Sequence, residues 1–444
     1  MKTLINTLKN IYKIEDLRKR IIYTLGLLLI YRLGSFIPLP GIDPTQLAAL
    51  KHQTAGGVMG LLDMFSGGAF SNASVFALGI MPYISASIVI QLLGIAVPYF
   101  QRLQREGESG RRKINQITRY LTVGILLLQA PGYLVNLHAQ IPAEAFLMSG
   151  SFFTFSSVLI LTTGTMFVMW LGERITDKGV GNGISLIIMI GIIARLPFAL
   201  SAEFASRLEQ SGGGLVAFLM ELLTLFLVFV VTILLVQGTR KIPVQYAKRI
   251  VGNKQYGGVR QYIPLKVNAA GVMPIIFAQA LMFIPITLSG FASADKMSGF
   301  MAAFSNYTGF WYNFVFALLI IVFTYFYTAI TINPTQMAED MKKNGGFIPG
   351  VKPGRKTVEF LDTVMSRITL PGSIFLAVIA ILPAFAMIVG VNNQFAHFYG
   401  GTSLLILVGV VLDTLQQIES HLLMRHYDGL MKSGRIKGRT GSAA

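Results

Sequence analysis

Few residues of this 444-residue chain could carry chemistry, and their spacing argues against catalysis. There is no cysteine, which excludes disulfides, thiolate metal sites and cysteine nucleophiles. Five histidines are scattered at positions 52, 138, 397, 421 and 426; the last two lie near a helix end and read as solvated side chains, not ligands. No Ser/His pair stands in an apolar run, the glycines lack phosphate-loop spacing, and paired carboxylates are expected only in aqueous loops. The expectation is a protein that is not an enzyme, with no catalytic residue, no metal and no cofactor.

Charge inside the apolar runs is sparse. Arg32 and Arg195 lie near run ends, where long side chains can snorkel to the headgroups. Glu221 lies near the start of a run, and Asp413 is the most embedded carboxylate. An embedded acid is a candidate proton relay. Asp413 has no acid or histidine within a helical turn, so a structural hydrogen bond is the favoured reading.

Two further patterns concern gating. The octets Ala-Leu-Gly-Ile-Met-Pro-Tyr-Ile (77–84) and Ala-Ala-Gly-Val-Met-Pro-Ile-Ile (269–276) match. Proline removes an N–H and crowds the preceding turn, so helices around Pro82 and Pro274 should kink or break. Both a gate hinge and a packing kink fit. Ile80 and Ile84 share one helix face, as do Ile184 and Ile188. Facing inward, such residues make a constriction that excludes ions by dewetting; facing outward, they are lipid-facing filler.

The elements that must position these residues follow from composition. The chain is 53% hydrophobic and 13% charged, with mean hydropathy +0.62; soluble domains carry roughly 25% charged residues. Ten apolar runs stand out, at 21–36, 75–97, 118–137, 152–171, 181–200, 215–236, 267–290, 308–332, 368–390 and 402–423. In hydrocarbon the backbone must satisfy itself, and such runs are helices rather than barrel strands. An even number puts both termini on one side, and 31 of the 37 Lys and Arg fall on that side. By the positive-inside rule both termini are cytoplasmic.

The matching octets occupy the second and seventh runs. Halves of five helices each must insert with opposite orientation, an inverted repeat. The fold class read here is an all-α integral membrane protein of ten transmembrane helices in two inverted pseudo-symmetric halves, with a re-entrant segment over 58–74. That segment is glycine-rich, too short to span, and carries one charge, Asp63. The first run leads into Ile-Pro-Leu-Pro-Gly rather than a small-residue cleavage site, so it is read as retained. Before it, Leu4, Leu8, Ile11, Ile14 and Leu17 stand at helical spacing among lysines, which fits an interfacial amphipathic helix or a frayed basic tail. The expected organisation is a cytoplasmic segment at 1–20, halves at 21–200 and 201–424, and a tail at 425–444.

Long stretches resemble the SecY family (SecY/Sec61-alpha) along essentially the whole chain: MFSGGAFSNASVFALGIMPYISASIVIQLL (64–93), EGESGRRKI (106–114), MWLGERITDKGVGNGISLII (169–188), YAKR (246–249), PLKVNAAGVMPIIFA (264–278) and FYGGTSLLI (398–406). The resemblance implies the central pore-forming subunit of a bacterial Sec translocase in the inner membrane. Such a channel is passive; it exports unfolded preproteins and releases membrane proteins sideways into lipid. It implies a pore ring of Ile80, Ile84, Ile184, Ile188, Ile276 and Ile406, and a plug at about 58–71 that includes Met59, Leu61, Leu62, Met64, Phe65, Gly67 and Gly68. The implied lateral gate contains Pro82, Gln91, Asn268 and Pro274. Partners implied are SecE-like and SecG-like subunits, the ATPase SecA, the ribosome, unfolded preproteins and membrane lipid, and a homodimer is compatible with it. Docking would use the basic loops 237–268 and 333–368 through Lys248, Arg249, Lys254, Arg260, Lys352, Arg355 and Lys356. Two departures affect that docking: Lys352 stands where many relatives have arginine, and Asn253 and Lys254 replace a common Arg pair, losing bidentate geometry. The rival reading is an ion-coupled secondary transporter, for which only Asp413 speaks.

Overall fold

The computed structural model describes residues 14–47, 60, 63–148, 150–209, 214–246, 249–251, 254–256, 260–291 and 308–432. Each of the ten runs falls on a helix. In order these are α1 (Glu15–Gly34), α2 (Met81–Ala96), α4 (Glu108–Gln140), α5 (Ser151–Lys178), α6 (Gly183–Glu209), α7 (Gly214–Gln237), α8 (Met273–Phe291), α9 (Phe310–Thr331), α11 (Arg355–Ile388) and α13 (Gly401–Lys432). Short helices α3 (Pro98–Arg105), α10 (Pro334–Lys343) and α12 (Asn393–Ala396) connect them. Among the described residues seven helices are long and apolar enough to cross a membrane, or eight if α2 and α3, bent by 100° at Val97, count as one broken span.

Lipid rather than water is the solvent these helices answer to. In α5 the buried residues Phe153, Ser157, Leu161, Gly164, Val168, Gly172 and Ile175 recur every three or four positions, one protein-facing stripe. Phe152, Phe155 and Leu159 on the other side are exposed, as apolar residues are in hydrocarbon. Helix α7 is the extreme case: of its 24 residues only Val228 and Thr232 are buried. Internal prolines in α4, α6 and α11 are tolerated because neighbouring groups in membrane bundles satisfy freed carbonyls.

The described residues form two compact units. One comprises the chain up to Arg195 together with the part from Val410 onward; the other is Leu196–Gly409. In the first, the glycine-rich turn between α5 and α6 is riveted from two helices. The Val180 N–H donates to Thr24 Oγ1 of α1 at 3.1 Å, and the Gly181 N–H donates to Gln417 Oε1 of α13 at 3.0 Å. Helices α4 and α5 are tied by Arg119, whose Nη2 lies 2.6 Å from Glu173 Oε2.

The second unit carries a feature not anticipated from the sequence. Strands β1 (Thr239–Tyr246), β4 (Arg260–Lys266) and β5 (Gly346–Phe347) form an antiparallel sheet in the order β4-β1-β5, and β2 (Arg249–Val251) pairs with β3 (Lys254–Tyr256). The signal was present as period two: Ile242 and Val244 alternate with polar neighbours and are buried with Leu265, Met341 and Leu361. The loop 237–268 is therefore a folded hairpin packed on α10 and α11.

Candidate functional site

Both Gly-x-Met-Pro octets adopt one local design. Helix α2 starts at Met81 and α8 at Met273, so each proline is the second residue of its helix. The expected kink gives way to a break and a helix start, because at the first turn a missing N–H leaves no bond unmade. Gly79 and Gly271, three residues before the prolines, have φ of +54° and +64°. L-residues with a side chain rarely enter that region, which gives each repeat its glycine.

Residues 66–80, ahead of α2, are turns rather than helix. Irregular backbone at membrane depth survives only where its polar groups find partners, and four spans supply them. Tyr31 Oη of α1 donates to the Ser66 carbonyl at 3.1 Å, and Arg32 Nη1 to the Gly67 carbonyl at 2.7 Å. Tyr133 Oη of α4 donates to the Phe70 carbonyl at 3.1 Å. Arg195 of α6 pairs with the Asp63 carboxylate, and its Nη2 donates to Ser71 Oγ at 2.8 Å. The second Asp63 oxygen, Oδ1, accepts from the Ser71 N–H at 2.7 Å.

This geometry corrects the snorkelling expected of Arg32 and Arg195. Both turn inward, because a buried carboxylate and unpaired carbonyls outweigh a headgroup several ångströms away. Packing is close: a Cβ on Gly67 would lie 2.8 Å from Gly191 Cα, and one on Gly164 would lie 2.3 Å from the Val75 carbonyl oxygen. Gly67 and Gly68, at φ +65° and +92°, make the turn that aims both carbonyls. Met64 and Phe65 are buried; Met59, Leu61 and Leu62 lie outside the described residues.

Of the six isoleucines, Ile80, Ile188 and Ile406 are buried at 3–4% exposure, while Ile84, Ile184 and Ile276 are half-buried. Pro82 and Pro274 are buried. Gln91 donates from Nε2 to Ser87 Oγ at 3.3 Å, whereas the buried Asn268 Oδ1 accepts no hydrogen bond among the described residues. Lys352, Arg355 and Lys356 are exposed, and the latter two approach Glu359 at 3.7 and 3.0 Å. Arg249, Lys254 and Arg260 lie on β2, β3 and β4, and Lys248 lies outside the described residues.

Two readings of the acids change. Asp413 is exposed on α13 and makes none of the expected hydrogen bonds among the described residues. The paired carboxylates expected only in aqueous loops occur instead inside the second unit. There Glu203 and Glu221 both bind Arg207, through Nε to Glu203 Oε1 at 2.9 Å and through Nη2 to Glu221. Their separation in sequence hid the pairing, which depends on α6 and α7 meeting at their adjoining ends.

Comparison with known proteins agrees with this architecture. The SecY family model matches residues 74–415. The protein translocase subunit SecY of Halalkalibacterium halodurans is 46% identical over 432 residues, covering 96% of this chain and 99% of the relative. A solved structure described as showing that the plug domain of SecY stabilises the closed channel and maintains a membrane seal aligns with TM-score 0.63 at 18% identity, over 90% of this chain and 91% of that one. Sec61 in a canine ribosome-channel complex aligns with TM-score 0.58 at 18% identity, over 90% and 91% of the two chains. At such identity the structures speak for the fold, while the sequence relatives speak for descent: this chain belongs to the SecY family.

Proposed function

We propose that this chain is the pore-forming subunit of a protein translocase, a passive channel that exports unfolded preproteins and releases apolar segments sideways into lipid. The observation that carries the reading is the turn-rich segment 63–80, saturated by side chains of neighbouring spans, in a chain of the SecY family. Ordered irregular backbone among apolar spans belongs beside a protein-lined path, not against lipid. Residues 58–71 act as the plug. The isoleucines 80, 84, 184, 188, 276 and 406 form the constriction, and Pro82, Gln91, Asn268 and Pro274 belong to a lateral gate. Asn268, with an orphaned buried carbonyl oxygen, is suited to polar contacts that change as a gate moves.

The channel itself catalyses nothing; energy comes from a partner such as SecA or the translating ribosome. The basic loops, folded on the β1–β4 hairpin and exposed around Lys352, are suited to anionic or acidic partners. SecE-like and SecG-like subunits complete the assembly. The charge asymmetry supports insertion in a bacterial cytoplasmic membrane with both termini inside.

The test uses the natural absence of cysteine. Ile84→Cys, carrying a photocrosslinker, is challenged in native membranes with a stalled secretory chain. A crosslink that disappears on completion places Ile84 on the path. Its absence, together with uptake of a small solute that depends on Asp413, would replace the channel with a transporter.

A further inference from the structure

Segment 63–71 is held by charge as well as by packing. Asp63, 6% exposed, is the one carboxylate in that stretch, and it pairs with Arg195 from thirteen residues along α6. Ser71 closes the loop between them, giving its N–H to Asp63 and receiving Arg195 at its hydroxyl. The guanidinium of Arg195 also lies over Gly68, where an added Cβ would meet Cζ at 3.3 Å. A second guanidinium, Arg32, holds the Gly67 carbonyl 2.7 Å away.

Apolar packing would fasten this segment at least as firmly, because desolvating both charges consumes most of the Coulombic attraction. What an ion pair adds is direction and abruptness. It fixes one register of the turn, and once separated and wetted both charges are stabilised by water, so the released state is not penalised as an exposed apolar surface would be. We propose, resting on the plug reading above, that Asp63 and Arg195 are positioning residues forming a latch. The latch holds the plug on α6 in the closed channel and opens when an entering chain admits water. Its strength sets how apolar a client's signal must be before the channel opens.

The experiment uses full-length protein with its partner subunits in membrane vesicles, and two clients: one with an intact signal and one with a shortened apolar stretch. Asp63→Asn and Arg195→Gln should each raise export of the weak-signal client about tenfold while export of the intact client continues, because an uncompensated partner shifts the closed-to-released equilibrium by at least that factor. The reciprocal variant Asp63→Arg/Arg195→Asp should return discrimination toward the parent. If a single variant loses export of both clients, recovery in the reciprocal variant supports the pairing and failure to recover overturns it. Unchanged discrimination in both single variants, with intact-client export preserved, removes the latch and leaves the channel reading standing. A parent protein that exports neither client removes both.

Discussion

Arg207 offers the sharpest test of how the second unit is held together. Its Nε lies 2.9 Å from Glu203 Oε1, and its Nη2 binds Glu221 and the Gly390 carbonyl, the latter at 2.9 Å. Glu203 has a fully buried side chain and one further donor, the Asn392 N–H at 2.8 Å. Replacing Arg207 by Met keeps the apolar stem and removes the guanidinium. Two carboxylates, at 0% and 13% side-chain exposure, would then share that single backbone donor. Removing one partner of a buried ion pair costs about 3–5 kcal/mol, and with roughly 2–4 °C per kcal/mol for a unit of this size, the melting temperature should fall by roughly 10 °C. The assay is thermal unfolding of purified protein in mild detergent, read as loss of the monodisperse gel-filtration peak. Adding Glu203→Gln and Glu221→Gln to Arg207→Met should recover about half of the loss, since neutral amides no longer need a counter-charge. A single variant within about 2 °C of the parent, or a triple variant no better than the single, would show that water already compensates the acids.

Two further outcomes follow from burial and close packing. Burial pushes His397, in the turn before α13, from 6.5 down to about 4. The folded state therefore binds that proton less readily than the unfolded state; its contribution is complete above pH 6.5 and is lost as the pH falls toward 4. Stability at pH 5 should lie roughly 2 kcal/mol below that at pH 7.5 on this account, and His397→Gln should flatten that part of the profile when the two proteins are melted side by side. Gly164→Ala would bring a methyl to 2.3 Å from the Val75 carbonyl oxygen; overpacking of this kind costs roughly 1–3 kcal/mol. Gly124→Ala, which meets nothing within 4 Å, should be neutral in the same melting experiment.

The chain alone determined its solvent, its helices and their order. Runs of about 20 apolar residues admit no other backbone in hydrocarbon, and each of the ten lies on a helix. The matching octets foretold a repeated break at Pro82 and Pro274, though not that each proline would begin its helix; that depends on Gly79 and Gly271 reaching positive φ. Long-range pairing could not be read. Asp63 and Arg195 are separated by an entire bundle's worth of sequence, and the electrostatics that turns Arg195 inward exists only once Asp63 is buried beside it. The same holds for Glu203, Arg207 and Glu221, and for the hairpin of β1 and β4, whose short alternation was overshadowed by the basic charge around it. Sequence periodicity reports what one element shows to its surroundings; which polar groups meet at low dielectric, and so are forced to pair, is decided by tertiary structure.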